Sequence, residues 1–114
     1  MARRRYSVTL TGEAERDLED MLRWTRERFG ARQAEIYSGT LRAAFEALSK
    51  SLTPSGARAR KEVCAGYYSL HVARARRPGR HLLLYRKRDE GEIVIVRILH
   101  DSMDIARHMP SNDE

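Results

Sequence analysis

Hydrophobic and polar residues follow two different periods along this chain: a brief strand-like run, then a long helical stretch, then strand-like runs again. Residues 5–10 (Arg-Tyr-Ser-Val-Thr-Leu) are rich in β-branched and aromatic side chains and predict a short strand. Thr11 follows, a residue whose hydroxyl can cap a helix, and Glu13, Glu15 and Asp17 place negative charge where a helix dipole favours it. Ala14, Leu18, Met21, Leu22, Thr25 and Phe29 then recur at helical spacing and form one face of a first helix. Trp24 lies off that stripe, either flanking the core or belonging to a contact surface. Gly30 is the natural break. Ala34, Tyr37, Leu41, Ala44, Phe45, Leu48 and Leu52 form the stripe of a second helix over residues 31–52. With so short a connection, the two helices must fold back as an antiparallel hairpin.

Thr53, Pro54, Ser55 and Gly56 end the helical region, and strand signals take over. Residues 67–72, 81–86 and 93–99 predict three strands, with turns at 77–80 and 89–92. Residues 61–64 read either as one more short strand or as the lead-in to Tyr67. Residues 100–109 are long enough for about two helical turns before Pro110. The expected fold class is α+β: a strand, an antiparallel helical hairpin packed on a small antiparallel sheet, and a short C-terminal helix. One domain is expected over residues 1–114, with its core in about 5–109. Strict alternation in the last strand puts Val94, Val96 and Ile98 on one face, and Ile93, Ile95, Arg97 and Leu99 on the other. Helices on one side leave the second face greasy, so either a partner or another part of the chain must cover it.

Length and composition narrow the class. A chain of 114 residues with 41% hydrophobic content supports one modest core. No apolar run is long enough to span a membrane, and the start, Met1-Ala2-Arg3-Arg4-Arg5, leads into no apolar signal segment. The single cysteine, Cys64, can form no internal disulfide, so a cytoplasmic setting is expected. The net charge of +6 is unevenly spread. Residues 58–88 hold ten basic side chains and one acid, Glu62, for a net +9, while the remainder is net −3. Such a field attracts polyanions: nucleic acid, a machine that handles it, or an acidic partner protein. The plain alternative is a solvated surface in an arginine-rich proteome, since Lys50, Lys61 and Lys87 are the only lysines.

Chemistry-bearing motifs are few. Cys64 has no histidine at a spacing typical of nucleophilic sites and reads as a small filler. His71, His81, His100 and His108 have no cysteine or paired carboxylate to complete a metal site, and phosphate-binding glycine loops are absent. No metal or other cofactor is expected. His71 and His81 flank a turn and could approach each other across the hairpin. A metal-free ribonuclease would need a base, an acid and cations at the phosphate. Lys61, Arg74, Arg86, His100 and His108 are the available parts, but spacing alone does not bring them together.

The chain as a whole resembles the RelE/ParE superfamily of toxins from type II toxin–antitoxin systems. The resemblance runs from about Tyr6 to Met109. It rests on the 6–10 strand leading into Thr11-x-x-Ala14-x-x-Asp17-Leu18, on Arg28-Phe29-Gly30, and on residues 79–86 and 95–100. Its most specific element is Leu99-His100-Asp101-Ser102-Met103-Asp104-Ile105-Ala106-Arg107-His108-Met109, which looks like the ParE ending. The resemblance implies a cytoplasmic toxin that poisons DNA gyrase without chemistry of its own. It also implies a ParD-like antitoxin that neutralises the toxin and supplies the contact to operator DNA. Arg97, His100, Met103, Asp104, Arg107 and His108 are then the candidates for target binding. Trp24, Arg74, Arg76, Arg77, Arg80, Ile93, Ile95 and Arg97 are the candidates for antitoxin binding. The rival within the superfamily is a RelE-like, ribosome-dependent messenger-RNA nuclease using Lys61, Arg74, Arg86 and His100. No tyrosine follows Tyr85, which removes the residue most associated with that activity.

Overall fold

One side chain ends the first strand and starts the first helix. In the computed structural model, which describes residues 5–109, Thr11 Oγ1 accepts the Ala14 N–H at 3.1 Å and donates to the Val96 carbonyl at 3.1 Å. Strand β1 (Ser7–Leu10) precedes it and helix α1 (Gly12–Phe29) follows. Gly30, at φ +97°, separates α1 from α2 (Ala31–Lys50); its N–H closes the last turn of α1 on Arg26 and its carbonyl receives Ala34 in the next helix. That backbone conformation is one L side chains rarely adopt, so the glycine makes the sharp reversal possible.

The sheet follows as β2 (Arg58–Ala59), β3 (Tyr67–His71), β4 (His81–Asp89) and β5 (Glu92–His100). Its order is β1-β5-β4-β3-β2. The three-strand meander and the α+β class are as expected. Two details of the sheet differ. β1 lies parallel to β5, so the sheet is mixed, and the two ends of the fold are stitched together through Ser7–Glu92 to Leu10–Ile95. The extra short strand is β2, while residues 61–64 form turns and lead into β3.

A β-bulge resolves the question of the second sheet face. Leu84 pairs with Arg97 and Tyr85 with Ile95, so Val96 is an extra residue on β5. The insertion shifts the alternation by one. Ile98 therefore packs with Ile93 and Ile95 in the core beneath the helices, beside Ala14, Met21, Leu41, Ala44, Leu48, Leu70, Leu83 and Tyr85. Tyr85 stacks on Tyr68 at 5.7 Å and donates to the Leu52 carbonyl at 2.6 Å, fixing the end of the helical region to the sheet. The opposite face keeps Tyr67, Leu84, Val94 and Val96 buried, with Ile105 and Met109 packed over them. The chain's own C-terminal segment is the cover. That segment is a single 3-10 turn, Ile105–His108, rather than the two-turn helix expected. Asp104 caps it by accepting the Ala106 N–H.

Candidate functional site

Between the far ends of α1 and α2 lies a groove of about 720 Å³. Met21, Trp24, Thr25 and Phe29 form the α1 wall, and Gln33, Ile36, Tyr37 and Thr40 the α2 wall. Trp24, Phe29 and Ile36 are 53%, 60% and 48% exposed, which is unusual for large apolar side chains gathered in one place. Trp24 meets Phe29 edge-on at 5.8 Å, and the Arg28 guanidinium sits 5.4 Å from the Trp24 ring centre. Phe29 continues the apolar stripe of α1 past the end of the core.

Polar groups close one end of the groove: Arg80, His81 and His100, beside Pro78 and Gly79. Their proton positions follow from their partners. The Tyr37 hydroxyl accepts the Arg80 N–H at 3.1 Å and shares a hydrogen bond of 2.7 Å with His81 Nδ1. His100 Nδ1 accepts the Ser102 N–H at 3.1 Å, and His71 Nδ1 accepts the Ala73 N–H at 3.0 Å. With Nδ1 accepting, His71 and His100 carry their ring proton on Nε2. His71 uses it on Asp101 Oδ2 at 3.0 Å, and Arg80 Nε donates to the same carboxylate at 3.3 Å. The bond from His71 holds the Asp101 carboxyl below its ordinary range, helped by Arg80. Burial pushes His81 down to about 4, and the neighbouring His100 adds to the shift. Burial likewise raises the Tyr37 phenol. His81 and His100 stand directly opposite each other on β4 and β5, with ring centres 5.4 Å apart.

Gly79 makes this packing possible. A Cβ there would lie 2.6 Å from Val72 Cγ2 and 3.2 Å from the Tyr37 hydroxyl. Only a glycine lets the β3–β4 turn close down on the tyrosine.

The structure distributes the sequence candidates over several places. Trp24, Arg80 and His100 converge on the groove. Ile93 and Ile95 are fully buried in the helix-side core, so they offer no contact surface; the expected open face does not exist. Arg97 is a structural clamp. Its guanidinium takes both oxygens of Asp17 at 2.7 and 3.0 Å and the His108 carbonyl at 3.0 Å. Among the C-terminal candidates, Met103 and Arg107 are exposed, Asp104 is the cap, and His108 supplies its carbonyl to Arg97. Arg74 donates to the Ser55 carbonyl, whereas Arg76 and Arg77 stand exposed on the β3–β4 loop, where Ala75 and Arg76 have φ of +52° and +67°.

Much of the basic window is paired: Arg60 with Glu62, Arg80 with Asp101, Lys87 with Glu90 and Arg88 with Glu92. Arg58, Lys61, Arg76 and Arg77 carry no ion pair among the described residues. Two members of the nuclease set stand apart. His100 is opposite His81, and Arg86 lies five residues further along β4, roughly 16 Å away at strand spacing. Among the described residues no group of three or more histidine, cysteine or acidic side chains is placed to hold a metal ion. No helix among them is long and apolar enough to cross a membrane.

Sequence reading passed over Tyr37, Ile36 and Asp17. In the sequence Tyr37 is one more member of an apolar stripe and Asp17 a charge suited to a helix dipole, while Ile36 belongs to no pattern singled out there. Only the position of Trp24 off its stripe hinted at the groove.

These features define a class: a small α+β domain with an exposed apolar groove closed by a polar cluster. Residues 8–105 match the family described as "ParE toxin of type II toxin-antitoxin system, parDE", and the chain belongs to that family. It is 35% identical over 100 residues to Toxin ParE1 of Mycobacterium tuberculosis strain H37Rv, covering 88% of this chain and 94% of that protein. Toxin ParE1 of Caulobacter vibrioides is 30% identical over the same shares. A chain in the solved structure "Chromosomal ParDE TA system from P. aeruginosa" superposes with a TM-score of 0.64 at 21% identity. That match covers 84% of this chain and 96% of the other, and it supports the fold alone.

Proposed function

We propose that this ParE-family toxin poisons DNA gyrase by binding it, and that a ParD-like antitoxin silences the toxin by laying an amphipathic segment into the groove between α1 and α2. The observation that carries the docking reading is the cluster of Trp24, Phe29 and Ile36, about half exposed along one groove. Apolar grooves of this shape suit the greasy face of a helix, with anchors recurring every three or four residues. The solved relative is described as part of a ParDE system, in keeping with a partner of that kind. Operator DNA is contacted through the antitoxin, and the toxin works in the cytoplasm. Met103 and Arg107, exposed beside the clamped C-terminal turn, are the side chains best presented to a target.

The test adds purified toxin to gyrase supercoiling and to ribosome-bound messenger RNA in parallel. Loss of supercoiling with accumulation of cleaved DNA, and intact transcripts, is the expected result. Transcript cutting with normal supercoiling would overturn the gyrase assignment. For docking, the antitoxin encoded beside the toxin gene should bind the wild type, and Ile36→Arg should abolish binding while leaving the melting temperature close to wild type. Unchanged binding would remove the groove from the interface.

A further inference from the structure

We infer that the polar end of the groove is a carboxylate-binding subsite, which receives an acidic side chain from the antitoxin segment docked along the apolar walls. The inference rests on the docking reading above and adds what the segment must carry at one end.

The argument is an accounting of donors and acceptors. His81 and His100 line this end with their Nδ1 atoms already occupied by the Tyr37 hydroxyl and the Ser102 N–H. His100 is left with an Nε2–H to donate, and His81 Nε2 is hydrogen-bonded to nothing among the described residues. Arg80 spends only Nε on Asp101, so its two terminal nitrogens remain as donors on a side chain 69% exposed. None of these nitrogens is hydrogen-bonded to an acceptor among the described residues. The Asp101 carboxylate receives His71 and the Arg80 Nε, and the Tyr37 oxygen receives the Arg80 N–H. No aspartate or glutamate lines the groove. Gln33 is the one side-chain amide in the lining, and the hydroxyls of Thr25 and Thr40 are turned to carbonyls of their own helices. A ligand that fills the groove therefore excludes water from nitrogens of Arg80, His81 and His100 that are not hydrogen-bonded among the described residues. Leaving them unpaired is costly, and a carboxylate satisfies several at once with charge-assisted bonds. A wholly apolar end would strand the donors, and an amine would face the positive charge of Arg80. The partner segment is thus amphipathic, with one Asp or Glu positioned past its apolar anchors.

Two measurements test this. In the first, phenylbutyrate and phenylbutyramide, an acid and its neutral amide sharing one apolar tail, are titrated into the isolated toxin. Histidine ring signals are followed by NMR. The acid should bind at least about tenfold tighter and shift the His81 and His100 Nε2 signals. Equal binding of acid and amide, or shifts confined to Trp24, would overturn the subsite. In the second, antitoxin affinity is compared for wild type, Ile36→Arg and the double variant Arg80→Gln/His100→Gln. The double variant should bind about 30- to 100-fold more weakly and show less salt dependence. If Ile36→Arg abolishes binding while the double variant binds as wild type, the carboxylate subsite fails and the docking reading stands. If Ile36→Arg has no effect, the docking reading itself fails.

Discussion

Arg97 on β5 holds both carboxylate oxygens of Asp17 on α1, and the same carboxylate accepts the Ile98 N–H at 2.9 Å. β1 stops at Leu10, opposite Ile95, so β5 beyond that point has an open edge. Thr11 takes the first free carbonyls of that edge and Asp17 takes the next N–H. A third bond from Arg97 reaches the His108 carbonyl, so one guanidinium joins helix, sheet and C-terminal turn. The hydrogen bonds that Arg97 donates to Asp17 lift its already high affinity for its proton further.

Removing one partner of this clamp leaves the other charged and largely buried. Arg97→Gln or Asp17→Asn should each destabilise the fold by about 2–4 kcal/mol, lowering Tm by roughly 10 °C. The double variant should cost much less than the sum of the two. Urea unfolding of the four proteins gives the coupling; additive losses would show that the pair does not act as a unit.

The C-terminal turn is fixed by Arg97 and by two apolar contacts, Ile105 and Met109. Ile105→Ala should cost about 1–2 kcal/mol and raise hydrogen exchange at Val94 and Val96 first. Exchange rates unchanged along β5 would mean that the turn does not shield that face.

Gly79 is a packing constraint. Gly79→Ala places a methyl within 2.6 Å of Val72 and against Tyr37, so a loss of about 1–3 kcal/mol is expected. The Tyr37–His81 hydrogen bond should lengthen or break with it. A wild-type His81 ring spectrum in the variant would contradict this account.

His81 makes stability depend on pH. Its native value near 4 lies below its ordinary 6.5, so between these limits the unfolded chain binds a proton that the native state does not. Stability should therefore be full above about 6.5 and decline as the pH falls towards 4. Because the ring is partly solvated, a loss on the order of 1–2 kcal/mol is expected. Asp101 adds a separate loss at more acidic pH, since its native value lies below its ordinary 3.8. His81→Gln should flatten the slope between 4 and 6.5 while keeping the acidic limb; an unaltered slope would assign the titration elsewhere.

Local rules carried much of the fold. The Thr11 cap, the break at Gly30, the two helical stripes and the three meander strands all lie where spacing and capping put them, because each depends on residues close in sequence. The site was less legible. His100 and Arg80 were read as functional positions, yet their partnership with Tyr37 and His81 joins α2 to the ends of β4 and β5. Ile93 and Ile95 keep the face that alternation gives them, but the residue inserted at Val96 brings Ile98 onto it, and that face is the one the helices cover. A bulge leaves no mark in a run of β-branched residues.

By itself, then, the amino-acid order determined the class of fold, the ends of its helices, and a residue pattern sufficient to point to the ParE family. Those are local or whole-chain properties. Which sheet face the helices cover, what Arg97 does, and where apolar and donor groups meet were decided only in three dimensions. Each depends on contacts between residues some 40 to 80 positions apart, as Tyr37–His81 and Asp17–Arg97 show, and no periodicity along the chain encodes such pairs.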